Sequence, residues 1–384
     1  MAKYFQGSLI LLFSIFMLHS CSIQPRELTT AEQLMETSPD SALHILQKFH
    51  YDKYILDKNK AWYGVLLMQA LDKNILPLQP DSIIDFSVQY YEKHSDNLLL
   101  AKAYYFKGRS LINKLQYEKA TLIYLKSLDL VENTENYNLL GKIYVELGEI
   151  YILQRDYNTS RLKYQFAYEN FIKADDIKHA FYTLLYIGRT YGQAKDLNNA
   201  LLYFRKAYIS SNDSLLKGVA LQEIANNYYL NKKYDSAINY FKSSFKYPTL
   251  TYNRAIQYYN ISNIYFNLNQ IDSSYVYVKK ALNTSPDIRT KRECYRILTN
   301  IAGEKSDMLA LRNSMKNYQD CSDSIRRIDA QTKGSVLETI HESKKEVSKS
   351  HNWIVSLALI VIIGGLLIIL MLPVVGTTQQ GSIG

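Results

Sequence analysis

The chain has 384 residues, with 45 Lys and Arg against 36 Asp and Glu and a net charge of +9, a length that by itself allows two or three domains. Its basic residues are spread out rather than gathered into a stripe with stacking aromatics, which excludes the usual nucleic-acid footprint. Cys21, Cys294 and Cys321 lack metal-ligand spacing, and Walker, HExxH and GxSxG signatures are missing, so no cofactor, metal or enzymatic chemistry is expected. His341-Glu342 lies in a charged helical run and reads as solvated.

Residues 1–21 read as an export signal. Lys3 is the only charge before the apolar run from Leu9 to Leu18, which is too short for an ordinary membrane span. Leu18-His19-Ser20-Cys21 resembles a lipoprotein cleavage box and makes Cys21 the lipidated first residue of the mature chain. Over residues 30–94 the pattern predicts degenerate helical repeats. Leu34 and Met35 precede a turn at Ser38-Pro39-Asp40, and Ala42, Leu43, Ile45, Leu46 and Phe49 follow it, with Asp40 or Ser41 as the cap of the second helix. A helix from Ala61 to Lys73, a loop from Asn74 to Pro80 and a helix from Asp81 to His94 complete this part, which caps the array that follows.

That array, residues 101–325, repeats itself. Small residues stand at Gly108, Gly148, Gly188, Ala225, Ser262 and Thr299, with separations of 40, 40, 37, 37 and 37. A large residue lies four before each of them, and in five units an apolar or aromatic residue lies three after. A second half then alternates small, large, small: Ala120-Tyr124-Ser127, Ser160-Tyr164-Ala167, Ala200-Phe204-Ala207, Ala237-Phe241-Ser244 and Ser274-Val278-Ala281. A weaker sixth copy has Tyr295, Thr299, Ala302 and Met315. Spacings of three and four mark one face of a helix, and turn residues around 116, 155, 195 and 233 separate the halves. A fixed period of this size means stacked two-helix units, each unable to bury its apolar face alone. The internal spacing resembles the tetratricopeptide repeat, a helix-turn-helix unit slightly shorter than these. The resemblance implies an all-α right-handed superhelix (an α-solenoid).

From Ser322 to His351 a polar helix with a sparse apolar stripe (Ile325, Ile328, Val336, Leu337, Ile340, Val347) reads as a stalk over 326–351 or a weak coiled coil. Residues 353–372 carry no charge. At about 1.5 Å per residue they span roughly 30 Å, the thickness of the hydrocarbon layer. With Trp353 at an interface position and Pro373 ending the run, this predicts one transmembrane helix. A short tail, 373–384, follows without Lys or Arg.

Ala31-Glu32-Gln33-Leu34-Met35, Pro39-Asp40-Ser41-Ala42-Leu43, the run Gln69 to Asn74 and Asp323-Ser324-Ile325, in that order, resemble a family of Bacteroidota membrane proteins. Their plan is a signal, a tetratricopeptide array, one membrane helix, and often a cytoplasmic coil with a helix-turn-helix DNA-binding domain. This sequence stops at Gly384, soon after Leu372, and carries no such domain. The resemblance therefore implies a membrane-anchored module that binds peptide or protein partners in the concave groove of its repeats. Its alternative is the sensor portion of a membrane-bound regulator whose DNA-binding domain is absent from the chain. The repeat resemblance also implies that the residue after each small one points into the groove: Arg109, Glu149, Arg189, Asn226 and Asn263. Tyr105, Tyr186, Gln222 and Tyr259 are their expected neighbours, with Glu223 and Asn260 close by. Asn and Gln suit a peptide backbone, Tyr supplies stiff contact area and Arg takes carboxylates; the reading as ordinary solvated scaffold residues stays open beside this one.

The signal places the repeats in the periplasm, tethered to the inner membrane by the lipid and the helix at 353–372. Lys344, Lys345 and Lys349, with nothing basic beyond the helix, would by the positive-inside rule put them in the cytoplasm. The signal is taken to prevail, because export commits the domain before the late helix is read. Cys294 and Cys321 are expected as partly buried thiols at the same end of the last repeat, with a disulfide as the alternative.

Overall fold

The computed structural model describes residues 25–49, 56–78, 81–249 and 251–330. The signal with Cys21, the stalk beyond residue 330, the span at 353–372 and the tail lie outside the described residues. Among the described residues no helix is long and apolar enough to cross a membrane. The chain divides into two units, 1–318 and 319–384; in the second, the described residues 319–330 are helical.

The described residues form helices with turns between them. The helices are α1 (Arg26–Leu34), α2 (Pro39–Lys48), α3 (Asp57–Lys73), α4 (Asp81–Tyr91), α5 (Asn97–Asn113), α6 (Tyr117–Val131), α7 (Tyr137–Leu153) and α8 (Tyr157–Lys173). Then come α9 (Ile177–Gln193), α10 (Leu197–Ser210), α11 (Ser214–Leu230), α12 (Tyr234–Ser244), α13 (Thr251–Asn267), α14 (Ile271–Thr284), α15 (Ile288–Glu304) and α16, residues 308–330. Odd-numbered helices from α3 onward are the first helices of successive units, each 17 residues long.

The small residue and the aromatic sixteen positions later form the central contact of a unit. A Cβ built on Gly108 would lie 2.4 Å from the Tyr124 ring, on Gly148 2.6 Å from Tyr164, and on Gly188 2.5 Å from Phe204. The rings press on bare backbone, and the second helix can approach the first only because no side chain intervenes. Later units trade the volumes differently. Ala225 and Phe241 share one buried cluster. Ser262 and Ser274 bond reciprocally, each hydroxyl donating to the other's carbonyl at 2.8 and 2.9 Å.

The same register reaches further towards the N-terminus than its apolar pattern suggests. The Ser87 hydroxyl donates to the Ala61 carbonyl at 2.8 Å, as Ser127 does to Ala101 at 2.7 Å. In α3 and α4, fully buried Met68 and Ile84 stand where later units have Gly and an aromatic.

The first helix of every unit ends in one geometry. Ile75, Leu115, Arg155, Lys195, Lys232, Asn269 and Ser306 all adopt positive φ, between 54° and 63°. The next N–H reaches back to the carbonyl five residues earlier, as Gln116 does to Leu111 at 3.0 Å and Asp196 to Tyr191 at 2.9 Å. This is a Schellman closure, which satisfies carbonyls the helix end leaves open. No turn uses glycine, so each left-handed residue carries a steric cost. Asp156 and Asp196, the residues after the turn, then cap α8 and α10, accepting from Thr159 and Asn199 N–H at 3.1 Å. Asp96, Asp176, Asp213 and Asp287 cap first helices in the same way.

Three expectations need correction. Neither Asp40 nor Ser41 caps α2: Ser38 is its N-cap, without a side-chain bond, and Pro39 opens the helix, because proline's missing N–H and fixed φ suit the first helical position. The helix expected from Asp81 to His94 ends at Tyr91. The sixth unit keeps the turn at Ser306, but Met315 is 54% exposed while its neighbour Ser314 is buried; α16 does not present Met315 to the core as earlier second helices present their aromatics. Cys294 and Cys321 are both thiols.

Candidate binding surface on the first helices

The residues expected to face a ligand are largely joined to one another. Arg109 on α5 pairs with Asp72 on α3 at 2.9 Å and with Glu146 on α7 at 3.1 Å, and its Nη1 donates to the Tyr105 hydroxyl at 3.4 Å. Tyr124 donates to the other Glu146 oxygen at 3.3 Å. Burial raises the Glu146 carboxyl above its ordinary value, Arg109 opposes the rise and Asp72 adds to it. Burial alone would lower the Arg109 guanidinium, but Glu146, Tyr105 and Asp72 together hold its pKa above the usual value. Tyr105 itself is only 4% exposed, so it is a core residue rather than open contact area. Its pKa is raised, by burial first and then by Glu146.

A second segment begins at α9. Arg189 Nε and Nη2 both donate to Glu223 Oε1 on α11, at 3.1 and 2.5 Å. Gln257 on α13 donates to Gln222 at 3.1 Å, and Asn260 donates to Asn226 at 3.1 Å. Asn263 donates to the Tyr229 hydroxyl. Tyr259 accepts from Arg296 Nη2 on α15 at 3.2 Å, and Arg296 pairs with Glu293 at 2.9 Å. The bonds span 34 to 37 residues, one repeat length, so each first helix is tied to the next at the same height.

Between α7 and α9 the tie lies only at the helix starts, where Asn138 on α7 donates to the α9 N-cap Asp176 at 2.6 Å; among the described residues no side-chain bond crosses there at the height of Glu149. The contact there is aromatic, with the Tyr164 and Tyr186 rings 5.5 Å apart. Glu149 is exposed, and its carboxylate lies near the Tyr164 hydroxyl. Its charge is felt nearby: the Tyr164 and Tyr186 hydroxyls are raised by burial first and by Glu149 next. The Tyr164 hydroxyl is buried without a partner.

Of the nine residues expected to face a ligand, Arg109, Arg189, Gln222, Asn226, Tyr259 and Asn263 sit in the two ladders, Tyr105 is buried, and Glu149 and Tyr186 flank the interruption. Sequence reasoning missed Asp72, Glu146, Tyr229, Gln257 and Arg296. The available signal was charge and amide complementarity one repeat away. It is faint, because the partners sit at varying offsets from the small residue.

Two-helix units closed by a shared turn and packed small against large, with successive first helices tied side chain to side chain, define a helical repeat scaffold of the tetratricopeptide type. The tetratricopeptide repeat model matches residues 258–288. The chain is thus a tetratricopeptide-repeat-containing protein, and it resembles the Rap and NprR repeat proteins. Over 99 residues it is 33% identical to the response regulator aspartate phosphatase I of Bacillus subtilis, a stretch that is 25% of each chain. The apo form of the quorum sensor NprR from B. thuringiensis superposes with a TM-score of 0.56 at 13% identity, over 81% of this chain and 97% of that one. The apo form of RapI gives 0.57 at 12% identity, over 79% and 98%. A signal-transduction ATPase with a tetratricopeptide repeat sensor, from Pyrococcus horikoshii, gives 0.63 at 15% identity, over 79% of this chain and 47% of that one. At these identities the structural likenesses concern the fold.

Proposed function

We propose that the repeats bind an extended peptide or protein segment along the row of first helices, with the chain held at the inner membrane and the repeats facing the periplasm. The observation that carries the binding reading is the interrupted ladder. Between two hydrogen-bonded segments lie an exposed carboxylate, Glu149, and the half-buried ring of Tyr186, chemistry that suits a cationic or amide-bearing side chain of a bound peptide. Beyond it, the half-buried amides of Gln222, Asn226 and Asn263 keep hydrogen-bonding capacity, since an amide offers two donors and two acceptor lone pairs and each has one repeat-to-repeat bond. The test is selection of a peptide from a random library against the full chain, followed by titration against Glu149→Gln and Asn226→Ala. Each variant should weaken binding about tenfold, the loss of one charged or well-placed hydrogen bond. Unchanged affinity in both would put binding elsewhere.

Anchoring rests on Cys21 and on the uncharged run 353–372. Fatty-acid labelling should disappear in Cys21→Ala, and that variant should stay membrane-bound through 353–372. A cysteine introduced at exposed Asn212 should react with an impermeant maleimide once the outer membrane is opened. Reaction only after inner-membrane lysis would reverse the orientation. The sensor reading draws on the description of NprR as a quorum sensor and on the regulator-like plan of the sequence. A frame encoding a coil and a helix-turn-helix in the DNA that follows the codon for Gly384 would decide for it.

A further inference from the structure

A cavity of about 620 Å³ opens between α3, α5 and the start of α7, one repeat before the interruption at Glu149. Four lysines line it: Lys73, Lys102, Lys142 and Lys173. Two of them are engaged. Lys73 pairs with Glu36 at 2.7 Å, and Lys173 lies over the Tyr137 ring at 5.5 Å. The Asp72 carboxylate, also in the wall, is taken by Arg109. Lys102 and Lys142 occupy equivalent positions on successive first helices, one repeat apart, and neither has a hydrogen bond or ion pair among the described residues.

The third feature is the end of α7. Its N-cap, Asn136, makes no capping bond, because its amide is turned to the Thr134 hydroxyl at 2.9 Å. The first N–H groups of α7 are therefore left without a side-chain acceptor, at the positive end of a 17-residue helix whose first residues line the same cavity.

We propose that this cavity binds the oxyanion of a ligand, a carboxylate or a phosphate, with Lys142 and Lys102 as its ammonium partners and the open N-terminus of α7 as a third. Both lysines are half-buried, partial desolvation of an ammonium without a counter-charge is unfavourable, and a bound oxyanion would supply that charge. The environment agrees. Burial pushes Lys142 below its ordinary value and Lys73 pushes the same way, while Glu36, Asp72 and Asp176 offset only part of it. Leu98, Phe106 and Leu139 form the apolar part of the wall, so the ligand carries its anion on a hydrophobic body. The site does not depend on peptide binding along the rest of the row, and its test uses inorganic and small organic anions for that reason.

The test is the rate at which an amine-reactive ester labels Lys142 in the full-length chain at pH 8. The rate is read residue by residue by mass spectrometry, in sodium phosphate, acetate or chloride at equal ionic strength. At ten times the dissociation constant of the anion about a tenth of sites remain free, so labelling of Lys142 should fall about tenfold. Exposed Lys195 should label at an unchanged rate. Protection by phosphate but not acetate identifies a phosphate site, and the reverse a carboxylate site. Lys142→Met provides a second readout: its melting temperature in chloride should exceed that of the parent, and phosphate or acetate should no longer raise it. Labelling of Lys142 indifferent to both anions, or an anion-induced shift retained in Lys142→Met, overturns the proposal.

Discussion

Replacing Gly148 by Ala adds one carbon where the Tyr164 ring already lies. The new Cβ would be 2.6 Å from Cε1 and 2.9 Å from Cδ1 of that ring, against an optimal carbon separation of about 3.5–4.0 Å. Tyr164 is fully buried, so the ring cannot swing into solvent and α8 must shift. Overpacking of this kind costs about 1–3 kcal/mol. Alanine's better helix propensity returns at most about 1 kcal/mol, leaving a net loss of up to about 2 kcal/mol. Gly303, on α15, meets nothing within 4 Å, so the identical substitution there should gain up to about 1 kcal/mol. One chemical change thus carries opposite signs at two helical positions. Circular dichroism melts should separate the two variants by a few degrees, at about 1–2 °C per kcal/mol, since the shift shrinks as the chain lengthens. Because repeat arrays need not unfold as one, hydrogen exchange of α7 and α8 should locate the loss. Adding Tyr164→Val to Gly148→Ala should recover part of it, with a coupling of about 1 kcal/mol or more. A Gly148→Ala protein that melts at or above the parent, or a Gly303→Ala protein that falls with it, refutes the packing argument.

Lys195→Gly should stabilise by about 0.5–1 kcal/mol, because it removes the left-handed penalty at φ 63° while adding chain entropy to the unfolded state. Asn269→Gly should gain less, since asparagine tolerates that conformation better; urea titration compares them. Burial pushes the Cys294 thiol up to about 12, so at pH 8 in native protein it should resist maleimide and react only on unfolding. Burial would raise the Asp287 carboxyl, but the N–H and hydroxyl of Thr290 outweigh it and hold its pKa below the usual value. A depressed folded value means stability is fully present above about pH 4 and is lost as pH falls through the folded pKa. Asp287→Ala should therefore cost about 1 kcal/mol at neutral pH and progressively less in acid, as thermal melts from pH 7 to 3 would show.

The unit register was legible because steric exclusion leaves a mark: Gly108, Gly148 and Gly188 are bare where a ring must sit, and the alternation in the second half follows from it. The turns were located but not their conformation, since Leu115, Arg155 and Lys195 give no sign of a left-handed backbone. The unit formed by α3 and α4 was hidden as a degenerate pair because Met68 and Ile84 exchange the usual sizes. Facing positions on the first helices were partly legible, but their state was not. Arg109 and Arg189 look like ligand contacts until Glu146 and Glu223 are seen to bond them, and those acids lie a full repeat away, where no local pattern points. Tyr105 was misjudged for a related reason: a tyrosine one turn before a groove position can equally hold the packing beneath it.

The contact between small and large residues closes within one unit: Gly108 with Tyr124, Gly148 with Tyr164, Gly188 with Phe204. A gene rearrangement that copies or deletes a whole unit carries both partners of that contact together. A crossover inside a unit, at the turn after the first helix, would set Met68 against an aromatic ring or leave Gly148 facing Ile84 across a void. The array can therefore lengthen or shorten in whole steps through unequal exchange, with breakpoints confined to the connections between units. The lengths of those steps, longer in the early copies than in the later ones, would then preserve which copies descend from which.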